Sequence, residues 1–283
     1  MEIVTTVQQV RAQVKAWKKE GLSVGFVPTM GYLHEGHQSL IKKAVEENDK
    51  VVVSIFVNPI QFGPNEDFEQ YPRDLEKDAA LCEATGAALI FHPEAEEMYP
   101  EGFCTHVDMT GLTDNLCGAK RPGHFQGVCT VVSKLFNIVA PDRAYFGEKD
   151  AQQLAVIRRM VRDMNIDVEV VGCPIVREPS GLAKSSRNTY LTREEKRAAC
   201  VLDRSLTAAR SLMNRGERSA ENILGVIREE IKEENLAEID YIKMVDALTM
   251  EDVETADRDV LIAIAVYVGK TRLIDNFTFR VEE

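Results

Sequence analysis

The sequence predicts an α/β protein in which residues 1–178 form a doubly wound parallel sheet and residues 179–283 form a smaller α+β domain. In the first part, short apolar runs at residues 23–27, 51–57 and 88–91 alternate with helical patterns, which is typical of βαβ units with right-handed crossovers. In the second part, helical patterns come first and strands follow without alternation, which indicates a separate α+β domain.

The helices of the first domain follow from apolar residues that recur at helical spacing. Residues 4–19 show an amphipathic pattern, and the helix that ends at Thr85 is followed by Gly86, a common C-terminal stop. Residues 93–127 are rich in Gly and Pro, so we predict an irregular segment with one short strand at residues 105–109. The other predicted elements are helices from Glu35 onward, at 75–85, 128–139 and 150–165, and strands at 144–146 and 168–176.

The second domain is predicted to contain two helices followed by strands. Thr192 and Glu195 form the pattern of a capping box, which marks the start of the first helix. The predicted helices are residues 192–214 and 219–233, and the predicted strands are residues 241–245, 260–268 and 273–279.

Composition and charge exclude several classes of protein. The 283 residues are 45% hydrophobic and 28% charged, which is typical of a globular protein, and the net charge of −12 argues against a nucleic-acid partner. The six cysteines form no C-x-x-C pair, which indicates reduced thiols and a cytoplasmic location. No signal peptide is recognisable, and the longest apolar run, residues 260–268, is too short to span a membrane.

A tight turn with Gly31 follows the strand at residues 23–27, and a helix begins directly after this turn. His34 and His37 are three residues apart, so they share a face of the first helical turn. The start of a helix carries unpaired N–H groups and a partial positive charge, which attract phosphate. Gly36 lets a ligand approach the backbone. The turn is therefore a candidate phosphate site.

Two other interpretations of the H-x-x-H pattern stay open on the residues alone. One histidine could cap the helix while the other lies on the surface, because the motif is short. The pair could also bind zinc, although no third ligand stands at a familiar spacing.

Two further segments combine cations with turns. Residues 147–150 follow a short strand and open a helix, and Lys149 could neutralise phosphate there. Lys184 and Arg187 flank two serines, a set that suits a triphosphate. The alternatives are a solvated helix start for the first segment and an exposed linker for the second.

Three uncharged amides, Asn58, Gln61 and Gln153, stand near predicted strand ends, where they could bind hydroxyl or carboxylate groups without adding charge. They could equally be ordinary exposed residues. Two familiar nucleotide motifs are missing: Gly269-Lys-Thr271 resembles the end of a P-loop but has Ile264 where Gly is required, and no G-x-G-x-x-G occurs. No G-x-S-x-G suggests a serine hydrolase.

Six motifs stand together in chain order: Pro28-Thr-Met-Gly-Tyr-Leu-His-Glu-Gly-His37, Phe56-Val-Asn-Pro-Ile-Gln-Phe-Gly63, Tyr71-Pro-Arg73, Arg121-Pro-Gly-His-Phe125, Tyr145-Phe-Gly-Glu-Lys-Asp150 and Ser185-Ser-Arg-Asn188. In order and spacing they resemble the pantothenate synthetase (pantoate–β-alanine ligase) family over essentially the whole chain. This family belongs to the HIGH-motif nucleotidyl-transfer group, which is related in fold to class I aminoacyl-tRNA synthetases. Residues 34–37 correspond to HIGH and residues 184–187 to the second, KMSKS-like signature.

The resemblance implies a reaction in two steps. Pantoate and ATP form pantoyl adenylate and pyrophosphate, and the amine of β-alanine then displaces AMP to give pantothenate. It also implies a Rossmann-like first domain that binds nucleotide and pantoate, a second domain that closes over ATP as a lid, and a cytoplasmic homodimer.

The resemblance further implies the site residues. Catalytic roles fall on His34, His37, Lys149, Ser185 and Arg187, with His37 as the proton donor to the leaving phosphate. Pantoate is held by Gln61 and Gln153 with Asn58 nearby, and Asp78 is a candidate Mg²⁺ ligand, although Mg²⁺ could be held largely by ATP. The implied ATP contacts are Met30, Gly31, Tyr32, Leu33, His34, Glu35, Gly36, His37, Gly147, Glu148, Lys149, Asp150, Val176, Lys184, Ser185, Ser186 and Arg187.

Two rival functions differ from a ligase in what they require. A nucleotidyltransferase that attaches AMP to a phosphorylated precursor would keep the H-x-x-H turn but would leave Gln61 and Gln153 without a purpose. An ATP sensor would bind nucleotide without needing His37. A tRNA synthetase is disfavoured by the charge and by the chain length.

Overall fold

The computed structural model describes residues 1–64 and 66–281, and the chain divides into two compact units. The first unit contains Met1–Met109, Arg121–Glu148 and Gln153–Pro174, and the second contains Thr110–Lys120, Lys149–Gln152 and Ile175–Glu283. A single boundary in the sequence does not describe this division, because two short segments from the earlier part of the chain belong to the second unit. Residues 282–283 of the predicted second domain lie outside the described residues.

The first unit is built on a six-stranded sheet in which all neighbouring strands are parallel. Its strands are β1 (Glu2–Val4), β2 (Val24–Thr29), β3 (Lys50–Ile55), β4 (Leu89–Phe91), β5 (Arg143–Gly147) and β6 (Glu169–Cys173), in the order β1-β4-β3-β2-β5-β6. The chain proceeds from β2 towards one edge and then returns to place β5 on the other side of β2. This reversal is the topological switch point, where doubly wound sheets bind their ligands. The predicted Rossmann-like fold is confirmed.

Among the described residues, seven α-helices lie between these strands along the chain. They are α1 (Val7–Lys19), α2 (Glu35–Glu47), α3 (Leu75–Thr85), α4 (Ala95–Met98), α5 (Leu116–Lys120), α6 (His124–Val139) and α7 (Ala151–Asp163). Consecutive residues of β3, such as Val52 and Val53, are both fully buried, as expected for a strand covered on both faces. The predicted stop at Gly86 is confirmed, with a positive φ of 98°.

Several details of the first part differ from the predictions. The short helices α4 and α5 form in the segment 93–127, which was predicted to be irregular. The predicted helix at residue 4 begins at Val7, because residues 2–4 pair with β4 as an edge strand too short for a periodic signal. No strand forms at residues 105–109, where the N–H of Val107 donates to the Thr130 hydroxyl at 2.9 Å instead. Helix α6 begins at His124, one turn before the predicted start.

The second unit contains a three-stranded antiparallel sheet in the order β7-β8-β9, formed by β7 (Ala237–Asp246), β8 (Val260–Val268) and β9 (Thr271–Phe279). Its main helices are α8 (Arg193–Ala199), α9 (Val201–Asn214) and α10 (Ala220–Lys232). The capping box of Thr192 and Glu195 is confirmed, but the predicted helix 192–214 is divided at Cys200. Across the described residues of the chain, no helix is long and apolar enough to cross a membrane.

Candidate functional site

The segment from Thr29 to His37, the His turn, joins β2 to α2 at the switch point. Gly31 and Tyr32 both adopt the left-handed region, with φ of 83° and 51°. A Cβ at Gly31 would lie 2.9 Å from the Ile55 side chain, so both the conformation and the space require glycine. The Thr29 hydroxyl donates to the Ser54 carbonyl at 2.7 Å and accepts the Gly31 N–H at 3.1 Å, which fixes the start of the turn.

A buried carboxylate holds the middle of the His turn. Asp78 in the first turn of α3 is 1% exposed, and its two oxygens accept the N–H groups of Tyr32 at 2.7 Å and Leu33 at 2.6 Å. Burial raises the pKa of Asp78, and the two backbone donors oppose that shift only in part. The turn is thus fixed from α3 by a carboxylate whose nearest donors are neutral.

The two histidines of the turn are locked to each other and to the backbone. Nδ1 of His34 accepts the Gly36 N–H at 3.1 Å, and Nδ1 of His37 accepts the His34 N–H at 3.3 Å. The ring centroids are 4.2 Å apart. Because each Nδ1 is an acceptor, the proton of each neutral ring lies on Nε2, and both rings offer an Nε2–H donor.

This geometry reconciles the capping and phosphate interpretations of the H-x-x-H motif. Both histidines form a capping box at the N-terminus of the 13-residue helix α2, and this role uses only their Nδ1 atoms. The Nε2–H groups and the helix N-terminus supply donors and partial positive charge suited to phosphate. For the zinc interpretation, the part of the chain that the structure describes contains no group of three or more His, Cys, Asp or Glu side chains that could hold a metal ion.

A network of amides lies beside the His turn. Nδ2 of Asn58 donates to Oε1 of Gln61 at 3.0 Å, and the Tyr99 hydroxyl donates to Oδ1 of Asn58 at 2.7 Å. Nε2 of Gln61 contacts the Met30 sulfur at 3.0 Å. The structure therefore brings together two predicted pantoate ligands, Asn58 and Gln61, and a predicted ATP contact, Met30.

The backbone of Gln61 is fixed by α6 and by an ion pair. His124 Nδ1 lies 2.9 Å from the Gln61 carbonyl, and its Nε2 lies 3.0 Å from Arg121, which pairs with Glu66 at 2.6 Å. Burial of Glu66 would raise its pKa, but the Arg121 guanidinium outweighs burial and lowers it. A Cβ at Gly127 would lie 2.4 Å from the Ile60 carbonyl oxygen, so only glycine permits this close approach of α6. The sequence assigned no role to His124, Arg121, Glu66 or Gly127.

The second predicted turn follows β5, the neighbour of β2 in the sheet, so Gly147 and Glu148 end at the same sheet edge as the His turn. Lys149 and Asp150, which belong to the second unit, continue the chain in a short 3₁₀ turn. The Lys149 side chain is 20% exposed, with Nζ 3.6 Å from Asp150 Oδ2. Gln153, a predicted pantoate ligand in the first unit, is partly buried on α7.

Residues 184–187, the Lys/Arg segment, leave a hairpin of the second unit. The Lys184 N–H donates to the Val176 carbonyl at 2.9 Å, so two predicted ATP contacts from opposite arms of the hairpin are adjacent. The Ser185 hydroxyl accepts the Arg187 N–H at 3.3 Å and starts a 3₁₀ turn, Ser186–Tyr190, in which Ser186 is buried. Lys184 and Arg187 are partly exposed.

The hairpin before the Lys/Arg segment is anchored by one arginine. Arg177 donates to the two carboxylate oxygens of Asp275 at 2.6 and 3.0 Å and to the Gly181 carbonyl at 3.0 Å. It also lies 3.1 Å from Asp203. Burial lowers the pKa of Arg177, but the two carboxylates outweigh burial and raise it. This ion-pair network, which the sequence did not predict, fixes the hairpin on β9.

Asp78 does not fit the predicted role of magnesium ligand. Mg²⁺ takes exposed carboxylate oxygens together with water or substrate phosphate, in octahedral geometry. Asp78 is 1% exposed, and each of its oxygens already accepts a backbone N–H. The geometry therefore gives this carboxylate a different role, as the acceptor that holds the His turn.

Comparison with known proteins gives one consistent family. Residues 2–278 match the family model described as pantoate-beta-alanine ligase. Pantothenate synthetase of Enterococcus faecalis is 64% identical over 282 residues, which cover 100% of both chains. That of Ruminiclostridium cellulolyticum is 64% identical over 279 residues, which cover 99% of both chains.

Solved structures agree with this match. Pantothenate synthetase from Thermus thermophilus has a TM-score of 0.92 at 49% identity, over 98% of this chain and 99% of that one. Pantoate-beta-alanine ligase from Francisella tularensis, complexed with beta-gamma ATP and beta-alanine, has a TM-score of 0.80 at 37% identity, over 98% and 97%. The chain belongs to the pantoate–β-alanine ligase family.

Proposed function

We propose that the His turn, Lys149 and the Lys/Arg segment carry out the reaction of this family in this chain. The reaction condenses (R)-pantoate with β-alanine and ATP to give pantothenate, AMP and pyrophosphate through a pantoyl adenylate. The observation that carries the proposal is the family match over residues 2–278, with the H-x-x-H turn in place at the switch point.

In the first step, a carboxylate oxygen of pantoate attacks the α-phosphorus of ATP. The bond from this phosphorus to the bridging oxygen breaks, and pyrophosphate leaves with increased negative charge. Donors and cations that face this developing charge lower the barrier. Because Nδ1 of His37 accepts an N–H, loss of its Nε2 proton would leave an imidazolate. We therefore assign Nε2–H of His37 as a hydrogen-bond donor to the leaving group, in place of the proton donor that the resemblance implies, with His34 as a second donor in the same turn. Lys149, Lys184 and Arg187 supply fixed positive charge.

In the second step, the amine of β-alanine attacks the acyl carbon of the adenylate, the carbon–oxygen bond to AMP breaks, and the amine loses a proton to solvent. No enzyme nucleophile is needed, so orientation supplies much of the rate. We assign Gln61, Asn58 and Gln153 to pantoate. Their amides can orient its hydroxyl and carboxylate groups without pairing the attacking carboxylate with a cation.

We propose that Mg²⁺ reaches the site already bound to ATP. Magnesium in such sites is bound largely by substrate phosphates and water. It supplies charge neutralisation on the phosphates.

We also propose that the chain is a cytoplasmic homodimer in which the second domain acts as a lid over ATP. Light scattering of the purified protein tests the dimer.

Product analysis tests the function against its rivals. With pantoate, β-alanine and ATP, we expect pantothenate and AMP in equal amounts. A nucleotidyltransferase would instead retain AMP in its product, and that outcome would overturn the proposal. An ATP sensor would retain its binding in the His37→Ala variant, whereas a ligase should lose turnover.

A further inference from the structure

Strand β9 carries two adjacent polar residues that are almost fully buried. Asp275 is 2% exposed and Asn276 is 6% exposed. Successive side chains of a strand point to opposite faces, so these two residues reach different partners. Both partners belong to the second unit. Lys149 is itself assigned to phosphate by the proposed function, and Arg177 lies in the hairpin that leads to the Lys/Arg segment.

On one face, Asp275 holds the hairpin that leads to the Lys/Arg segment. It receives two hydrogen bonds from Arg177, which in turn donates to the Gly181 carbonyl within the hairpin. The hairpin arm that begins at Val176 and the arm that ends at Lys184 are joined by a backbone hydrogen bond. Strand β9 therefore determines the position of the Lys/Arg segment, through Asp275 and the hairpin.

Towards the other face, Nδ2 of Asn276 donates to the backbone carbonyl of Lys149 at 2.8 Å, across 127 residues of sequence. The N–H of Asn276 is itself fixed, because it donates to Oδ1 of Asp275 at 2.8 Å. A hydrogen bond to the carbonyl of Lys149 determines where its side chain begins. A displacement of about 1 Å in a charge that acts on a reacting group can cost about 100-fold in rate.

We propose that Asn276 is a positioning residue for Lys149, and that β9 thereby sets the spacing between Lys149 and the Lys/Arg segment. This inference rests on the proposed function of Lys149. Asn276 acts through the backbone of Lys149, so its removal displaces the lysine charge without removing it. The effect is on the step in which pyrophosphate leaves, because that is where the charge of Lys149 acts.

A double-mutant cycle tests this inference in the whole chain. The measured rate is the pantoate-dependent exchange of labelled pyrophosphate into ATP for the wild type, Lys149→Ala, Asn276→Ala and the double variant. We expect Lys149→Ala to lower the maximal rate by about 10³-fold. Asn276→Ala should lower it by about tenfold, with KM for ATP changed by less than about twofold. The double variant should match Lys149→Ala within about twofold, because Asn276 has nothing left to position.

The outcomes separate two kinds of failure. If Lys149→Ala reduces exchange but Asn276→Ala costs a further tenfold in that background, Asn276 acts elsewhere and the inference is wrong, while the function of Lys149 stands. If Lys149→Ala exchanges at the wild-type rate, the proposed function of Lys149 is wrong and the inference falls with it.

Two more variants control for damage to the strand. Thr278→Ala changes an exposed residue of the same strand and should exchange at the wild-type rate. Asn276→Asp keeps the size of the side chain but has no N–H to donate, so it should lose activity as Asn276→Ala does, and it replaces that variant in the cycle if Asn276→Ala does not fold. Wild-type exchange in a folded Asn276→Asp variant would contradict the inference.

Discussion

The His turn and the Lys/Arg segment use different donors, although we assign both to the same triphosphate. The His turn offers imidazole N–H groups and a helix N-terminus, and Asp78 holds it through two neutral backbone donors. The Lys/Arg segment offers fixed cations, and its hairpin is held by the ion pair of Arg177 with Asp275.

This difference indicates a division of labour. Neutral, directional donors that are locked by hydrogen bonds stabilise charge only where it develops, so they should act on the transition state. The cations of the Lys/Arg segment attract phosphate at all stages, so a larger share of their effect should appear as binding of ATP. The variants below break or sharpen this contrast.

The largest expected effects come from removing one neutral donor, His37, and one cation, Lys184. His37→Ala should lower kcat for adenylate formation by about 10³-fold, with little change in KM for ATP. Lys184→Ala should raise KM for ATP by about tenfold, with a smaller change in kcat. Steady-state pyrophosphate exchange at varied ATP measures both. If both variants change kcat and KM for ATP in the same proportion, the proposed division of labour is wrong.

The buried carboxylates Asp78 and Asp275 provide the next contrast, which is in the free energy of unfolding. Asp78→Ala leaves the part-buried N–H of Tyr32 and the buried N–H of Leu33 without their acceptor and should lower the free energy of unfolding by about 3 kcal/mol. Asp275→Ala should cost about 2 kcal/mol, because Arg177 is a quarter exposed and keeps Asp203 as a partner. Denaturant unfolding of each variant gives both values.

An amide variant of Asp78 controls this comparison. Asp78→Asn retains one acceptor oxygen, so it should recover about half of the stability that Asp78→Ala loses. Full loss in Asp78→Asn would mean that charge, and not the number of acceptors, matters at this position. A larger loss for Asp275→Ala than for Asp78→Ala would contradict the ranking.

The fold was predictable because its signals are local. Continuous apolar strands, the stop at Gly86 and the capping box at Thr192 each depend on a few neighbouring residues. Strand β1 was not predictable, because its three residues are ordered only by pairing with β4.

The site could be predicted only where chemically distinctive residues lie close together in the sequence. His34 and His37 are close in sequence and chemically distinctive, so their motif pointed to phosphate. Asp78 lies more than 40 residues from the turn that it holds, and Asn276 lies 127 residues from Lys149. Such positioning contacts have no local pattern, so only the three-dimensional structure reveals them.

The two units also position their proposed ligand-binding side chains in different ways. Close backbone packing at Gly127 sets the place of Gln61, whereas a side-chain hydrogen bond sets that of Lys149. Gly127→Ala should displace Gln61 and raise KM for pantoate by about tenfold, without the same change for ATP. Gly225→Ala in α10, where the structure places no atom within 4 Å of the added methyl group, is the control and should leave both constants unchanged. An unchanged KM for pantoate in Gly127→Ala would show that α6 can move away without cost.

The smallest effect is a pair of opposite pH dependences in stability. Glu66 is paired with a cation and its pKa is lowered, so its contribution is present above its ordinary value of 4.5 and is lost as pH falls through the lowered pKa. The pKa of Asp78 is raised, so its contribution is present below 3.8 and is lost as pH rises through the raised pKa.

Unfolding free energies of the wild type, Glu66→Gln and Asp78→Asn, measured without magnesium across acidic and neutral pH, check these signs. The stability advantage of the wild type over Glu66→Gln should shrink as pH falls. The free energy of unfolding of the wild type relative to that of Asp78→Asn should instead fall as pH rises. The same sign for both variants would contradict the contrast between cationic and neutral partners.

The most direct test of the central claim is the exchange of labelled pyrophosphate into ATP with β-alanine omitted. If the His turn and the Lys/Arg segment act together on the triphosphate to form an acyl adenylate, exchange should require pantoate, should nearly disappear in His37→Ala, and in Arg187→Ala should fall mainly when ATP is below its KM. Addition of β-alanine should then release AMP from the wild type. No pantoate-dependent exchange by folded protein that binds ATP would contradict the proposed chemistry.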